Sequence, residues 1–265
     1  MTLMTNITLL STPGPQVLLV TLPLLVLSEH KSRSYAGIVL FKMLSSASFL
    51  IGPLTMLATS GGAGRSTYGL AITIGLLFSL VGDFLLLPSQ TEFRRTNTAG
   101  GVSTSFQAGV VAFAAAHIAY IIGFLSTAQT ISYATLVTTF VATLLLAKWL
   151  GVIYPPPHSA LQSNILNLAL PPDMKPLVLV YAVIISTMFA VATAASDSSA
   201  VSASISQRVV GAAMFVVSDV FVAANAFGSA NGSSGGGGER GLVRIALGYG
   251  LYFWGQMVIA GTVEV

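Results

Sequence analysis

Eight stretches of this chain stay apolar for about a membrane's width, and no soluble fold accommodates them. They fall at roughly 9–27, 35–58, 68–87, 105–126, 131–153, 176–195, 208–227 and 242–262. About 20 apolar residues in a helix cross ~30 Å of hydrocarbon. Strands of a membrane barrel are about half that length and alternate in polarity; these windows do not alternate. The charge content agrees, because only 7% of the residues are charged and a soluble domain carries about a quarter. The expected fold is all-α, a polytopic membrane helix bundle of about eight transmembrane helices. The first window is the most interrupted, by Pro13, Pro15 and Pro23.

The connections leave no room for a second domain, so residues 1–265 form a single membrane domain. The longest, about 153–175, contains Pro155-Pro156-Pro157 and Pro171-Pro172, which favour extended chain over helix. Residues 228–238 read GSANGSSGGGG, a flexible linker. No basic segment precedes the first window, so that helix is expected to be retained rather than cleaved. Basic residues concentrate in the odd loops: Lys31 and Arg33, Arg94 and Arg95, Lys148 and Lys175, Arg240 and Arg244, against Arg65 and Arg208 on the other side. The odd loops are therefore expected in the cytoplasm. Two glycosylation sequons begin at Asn6 and Asn231; only the first lies on the outer side of this topology. The endoplasmic reticulum is the expected host membrane. Oligomeric state is not encoded in any motif.

A repeat is visible. Gly75 to Asp83, GLLFSLVGD, resembles Gly211 to Asp219, GAAMFVVSD. The offset is 136 residues, or four helices, which preserves direction across the bilayer. The reading is a parallel four-plus-four repeat in which helices three and seven have equivalent jobs.

Several chemistries are excluded. The chain has no cysteine and three histidines, two of which, His30 and His158, lie outside the apolar windows. A zinc site is not expected, and no cofactor is. No nucleophile elbow, P-loop or dinucleotide fingerprint occurs. The net charge of +3 comes from scattered residues with no basic stripe, so nucleic acid is not a partner.

What remains is a small set of polar residues inside the windows: Lys42, Asp83, His117, Tyr120, Tyr181, Asp219, Tyr252 and Gln256. A charge at mid-bilayer costs about 2.5–3.5 kcal/mol, so such residues are functional by default. At 1.5 Å per residue, Asp83 lies ~6 Å, Lys42 ~10 Å and Asp219 ~12 Å from the same membrane face. The three could meet in one cavity. Gly75, Ser79 and Asp83 share a helix face, as do Lys42, Ser45 and Ser46. The plainer alternative is a buried Lys42–Asp83 ion pair, with Asp219 and Ser218 bonding a neighbouring helix. Glu29, His30 and Lys31 read as solvated residues at a helix end, and Lys148, Lys175, Arg208 and Arg244 as anchors at helix ends.

At these residues the chain resembles the YhhN family of lysoplasmalogenase-like membrane proteins. The resemblance runs through Lys42, Gly75-x3-Ser79-x2-Gly82-Asp83 and Phe106-x2-Gly109-x3-Phe113-x3-His117-x2-Tyr120. It continues through Tyr181, Gly211-x6-Ser218-Asp219 and Tyr252-x3-Gln256. One departure is Met43, where members often have proline. The resemblance implies an eight-helix hydrolase that cleaves the vinyl-ether bond of lysoplasmalogens, giving a fatty aldehyde and a glycerophospho-base. It also implies that Asp83 and Asp219 are catalytic. Protonating the β-carbon of a vinyl ether leaves an oxocarbenium ion; water adds, and the hemiacetal collapses. One carboxyl must donate the proton while another stays charged, the logic of glycoside hydrolysis. Lys42, Ser79, His117, Tyr120, Tyr181, Ser218, Tyr252 and Gln256 would bind substrate or support the pair. The alternative function is a small-solute or proton-coupled membrane transporter.

Overall fold

The computed structural model describes residues 7, 9, 13–32, 34–59, 66–90, 102–155, 164–196, 202–228 and 241–263, with the side chains of 32, 196 and 202–206 excepted. The Gly/Ser-rich linker beyond Gly228, both sequons, Arg33, Arg65, Arg94, Arg95, His158 and Arg240 lie outside the described residues.

The described chain is a helix bundle. Its helices are α1 (Gly14–Leu27), α2 (Tyr35–Ser48), α3 (Ile51–Thr59), α4 (Thr67–Leu85), α5 (Thr104–Ser126), α6 (Tyr133–Leu150), α7 (Met174–Ala194), α8 (Ser202–Phe227) and α9 (Leu242–Gly261). Four of them start on a serine whose hydroxyl accepts a first-turn backbone N–H: Ser34 from Gly37, Ser66 from Gly69, Ser103 from Phe106 and Ser132 from Thr135. These caps satisfy N–H groups that would otherwise lack a partner at the membrane surface.

Among the described residues, six helices are long and apolar enough to span a membrane, α4 through α9, and seven if α2 and α3 count as one bent span. The protein is an integral multi-pass membrane protein. Two of the eight windows differ in detail. The window 35–58 is not one straight helix but α2 and α3, bent by 41° at a short break. Pro53 is the cause: it has no N–H to offer the carbonyl four residues back at Phe49, where α2 stops. The first window supplies only 14 residues of α-helix, with Pro23 inside, before a π-helical turn at Ser28–Ser32.

The helices run up and down, so that α1, α4, α6 and α8 end where α2, α5, α7 and α9 begin. At the opposite face, Thr130–Ile131 and Ala195–Ser196 form a two-residue antiparallel ladder between the start of α6 and the end of α7. The closest helix pairs are α4–α5 and α8–α9, and glycines permit the approach. A Cβ on Gly75 would lie 2.3 Å from the Tyr120 ring, on Gly82 2.7 Å from Phe113, and on Gly211 2.6 Å from Ile259. The two glycines of the repeat motif thus do the same work in their own helix pairs. Outward faces carry exposed Leu19, Phe84, Val111, Ile122 and Leu145, a surface suited to lipid and not to water. On α6 no residue is fully buried; it stands at the edge of the bundle.

One sequence expectation needs correction. Arg208 is not a solvated anchor. It is 2% exposed, its Nη1 donates to Thr127 Oγ1 at 3.3 Å, and its guanidinium lies over the rings of Tyr68 and Phe124. A long side chain near a helix start was read as snorkelling outward; aromatic faces inside the bundle hold it instead.

Candidate active site

The eight polar residues expected inside the apolar windows sort into three groups. The first surrounds Asp83, two residues before the end of α4 and 2% exposed. Its Oδ2 accepts hydrogen bonds from Ser46 Oγ on α2 at 2.7 Å and Tyr252 OH on α9 at 2.6 Å. Its Oδ1 lies 3.6 Å from Lys42 Nζ. Lys42 and Ser46 are one helical turn apart on α2, so a single helix face delivers both the ammonium and one hydroxyl. A buried ion pair is stable only when the remaining lone pairs are also satisfied, and the two hydroxyls do that.

The second group surrounds Asp219 on α8. Tyr181 OH, from α7, donates to its Oδ2 at 2.6 Å. The same hydroxyl lies 3.1 Å from His117 Nε2 on α5. A phenol has one proton; when Tyr181 gives it to an ionised Asp219, its oxygen accepts from an Nε2–H imidazole. The His117 ring packs edge-on against Phe215 with centroids 4.5 Å apart, and its Nδ1 is buried without a hydrogen-bond partner. Among the described residues, Asp219 makes no ion pair, and it is half-buried where Asp83 is almost fully buried.

The third group is a closed triangle. Tyr120 OH donates to Gln256 Oε1 at 2.7 Å, Gln256 Nε2 donates to Ser79 Oγ at 2.9 Å, and Ser79 Oγ lies 3.3 Å from Tyr120 OH. All three side chains are fully buried. The triangle ties α4, α5 and α9 together directly beneath Asp83, one turn along α4.

The first two groups open on one cavity of about 810 Å³, lined by Lys42, Asp83, Tyr181, Asp219 and Tyr252 among others. The expected meeting of two carboxylates and an ammonium in one chamber is therefore what the fold builds. The other expected site residues do not line it. Ser79, Tyr120 and Gln256 sit behind it in the triangle. His117 reaches it only through Tyr181. Ser218 turns back to its own helix, donating to the Phe215 carbonyl at 2.7 Å.

The cavity wall also holds residues outside the expected site set: Glu29 and His30 beyond α1, and Arg244 and Tyr249 on α9. Glu29 is not simply solvated, because Tyr249 OH donates to its Oε2 at 2.5 Å. Position in the sequence pointed to a loop end; the signal that could have found them is α9 itself, where Tyr249 and Tyr252 are i, i+3 on one face.

The two aspartates draw on helices distant in sequence: His117 on α5 serves Asp219 through Tyr181, and Tyr252 on α9 serves Asp83. His117 and Tyr252 are 135 residues apart, close to the 136 that separate Asp83 from Asp219.

A bundle of membrane-spanning helices with two carboxylates and a lysine on one chamber fits a membrane enzyme. The profile of the YhhN family matches residues 37–263, nearly the whole bundle and every residue of the three groups. The chain belongs to the YhhN family. No curated protein and no solved structure matches it.

Proposed function

We propose that this protein is an intramembrane hydrolase that cleaves the vinyl-ether bond of lysoplasmalogens. The observation that carries the reading is the shared cavity, on which Asp83 and Asp219 both open with sharply different surroundings. Lys42 and two hydroxyl donors stabilise negative charge at Asp83. Asp219 has one hydroxyl and access to the chamber. In this reading Asp219 is the acid. It gives its proton to the β-carbon of the vinyl ether, and the double-bond electrons form the new C–H bond. The positive charge left on the α-carbon and ether oxygen faces the Asp83 carboxylate. Water adds to the α-carbon and loses a proton to a carboxylate. The hemiacetal then expels the glycerol oxygen, which leaves as an alcohol, and the former vinyl carbons leave as a fatty aldehyde. Water is the only co-reactant, and the proton lent by Asp219 is returned.

The cavity suits such a substrate. Leu146, Leu150, Val178, Ile185 and Val216 give it an apolar wall for the hydrocarbon chain. The test is aldehyde release from a lysoplasmalogen by the purified full chain in detergent, with Asp83→Asn and Asp219→Asn in parallel. Release by the wild type that is lost in both folded variants supports the reading. No aldehyde from folded wild type overturns it, and flux of a solute across sealed vesicles would then point to the transporter.

A further inference from the structure

The cavity is largely apolar, and its polar lining extends beyond the carboxylates. Where α1 ends and α9 begins, Glu29, His30, Arg244 and Tyr249 line one wall. The same cavity carries many apolar residues of α6, α7 and α8. Charges of both signs at one end of a largely apolar cavity select an amphiphile whose head is itself of both signs. Resting on the reading above, we propose that this wall is the head-group subsite of a zwitterionic, single-chain ether phospholipid. Arg244, with His30 in the same lining, takes the phosphate. Glu29, oriented by Tyr249, takes the ammonium of the ethanolamine or choline.

The chemistry of each partner fits its residue. A guanidinium forks onto two phosphate oxygens with paired N–H donors. A quaternary ammonium cannot donate a hydrogen bond, but a carboxylate attracts it by charge, and the Tyr249 ring adds a negative face. Tyr249 OH donates to Glu29 Oε2 at 2.5 Å, which fixes the carboxylate without neutralising it.

Spacing along α9 fits as well. Arg244 and Tyr252 are eight residues apart, about 12 Å of helix. In a lysophospholipid, five bonds separate the ether oxygen from phosphorus, a span on the order of 6 Å with ordinary bond lengths. Helix side chains lean toward the N-terminus, so the Tyr252 ring reaches back toward the level of Arg244 and shortens the remainder. A lipid whose ether bond lies beside Asp83 thus brings its phosphate within reach of Arg244, and one helix gauges the distance from head to scissile bond.

The experiment measures equilibrium binding to the full chain of ether lipids that cannot be hydrolysed. The probes are a saturated 1-O-alkyl lysophosphoethanolamine, the corresponding lysophosphatidic acid without an amine, and the 1-O-alkylglycerol without a phosphate. Arg244→Gln is expected to weaken both phospholipids on the order of tenfold and to leave the alkylglycerol unchanged. Glu29→Gln is expected to weaken the ethanolamine lipid alone. Equal losses for all three probes, or no loss for any, would overturn the assignment. So would displacement by soluble glycerophosphoethanolamine at concentrations matching the lipid, because the ligand would then be a free phosphate ester. Head-selective binding without aldehyde release from a lysoplasmalogen would remove the hydrolase reading and leave the subsite standing. Aldehyde release with no head selectivity would do the reverse.

Discussion

Lys42 and Asp83 meet across α2 and α4 with 3.6 Å between Nζ and Oδ1, while Asp219 makes no ion pair among the described residues. This asymmetry separates two aspartates that close similar sequence motifs. Lys42→Gln removes the charge that favours an anionic Asp83 and keeps most of the side-chain length. The expected result is a fall in kcat of about a hundredfold with little change in KM. Because the two residues act as a unit, Lys42→Gln combined with Asp83→Asn should be no slower than Asp83→Asn alone. Additive losses in steady-state kinetics would show that Lys42 acts elsewhere.

Tyr181→Phe removes the hydroxyl that joins Asp219 to His117 and leaves the ring. A loss of about tenfold in kcat is expected, as for one hydrogen bond to a reacting charge. Once Tyr181 is Phe, changing His117 to Gln should cost nothing further, because His117 touches the cavity only through that hydroxyl. A full additional loss in the double variant would give His117 a contact of its own with substrate.

Gly75→Ala tests the packing beneath the site. The new methyl would stand 2.3 Å from the Tyr120 ring, so the ring must move and break its bonds to Ser79 and Gln256. Destabilisation of about 1–3 kcal/mol is expected, read as a lower Tm in detergent. Gly250→Ala is the control: nothing lies within 4 Å of its Cβ, and alanine favours helix by up to about 1 kcal/mol. Its Tm should stay level or rise.

Arg208→Met keeps the length of the side chain but removes its donors and its charge over two aromatic rings. Arg208 lies at the opposite face from the cavity. A fall in Tm is therefore expected, with KM of the remaining folded protein unchanged. A changed KM with an unchanged Tm would place Arg208 on a substrate path.

The sequence made the bundle and its polar residues legible for a physical reason. Intramembrane charge is so costly that Lys42, Asp83 and Asp219 stand out against an apolar background, and helical rise sets their depth. Which of the neighbours face the cavity was not legible. Ser79 and Asp83 share a helix face, yet Ser79 is sealed behind Tyr120, because Gly75 lets α5 close over that turn. Pro53 marked the break between α2 and α3, but the length of its window concealed it. Glu29 and Arg244 were obscured for the opposite reason. Charges at a membrane surface are ordinary, and only the packing of α1 against α9 turns them toward the chamber.

Tyr252 and Asp83 are 169 residues apart and 2.6 Å from each other. During synthesis α4 enters the bilayer long before α9 exists, and N-terminal parts fold first. Until α9 arrives, Asp83 has Ser46 and Lys42 but lacks Tyr252, Gln256 is missing from the triangle beneath it, and the chamber has no wall on that side. The hydrogen-bonded surroundings of Asp83 are therefore complete only once α9 is seated, so residues far apart in the order of synthesis finish one site together.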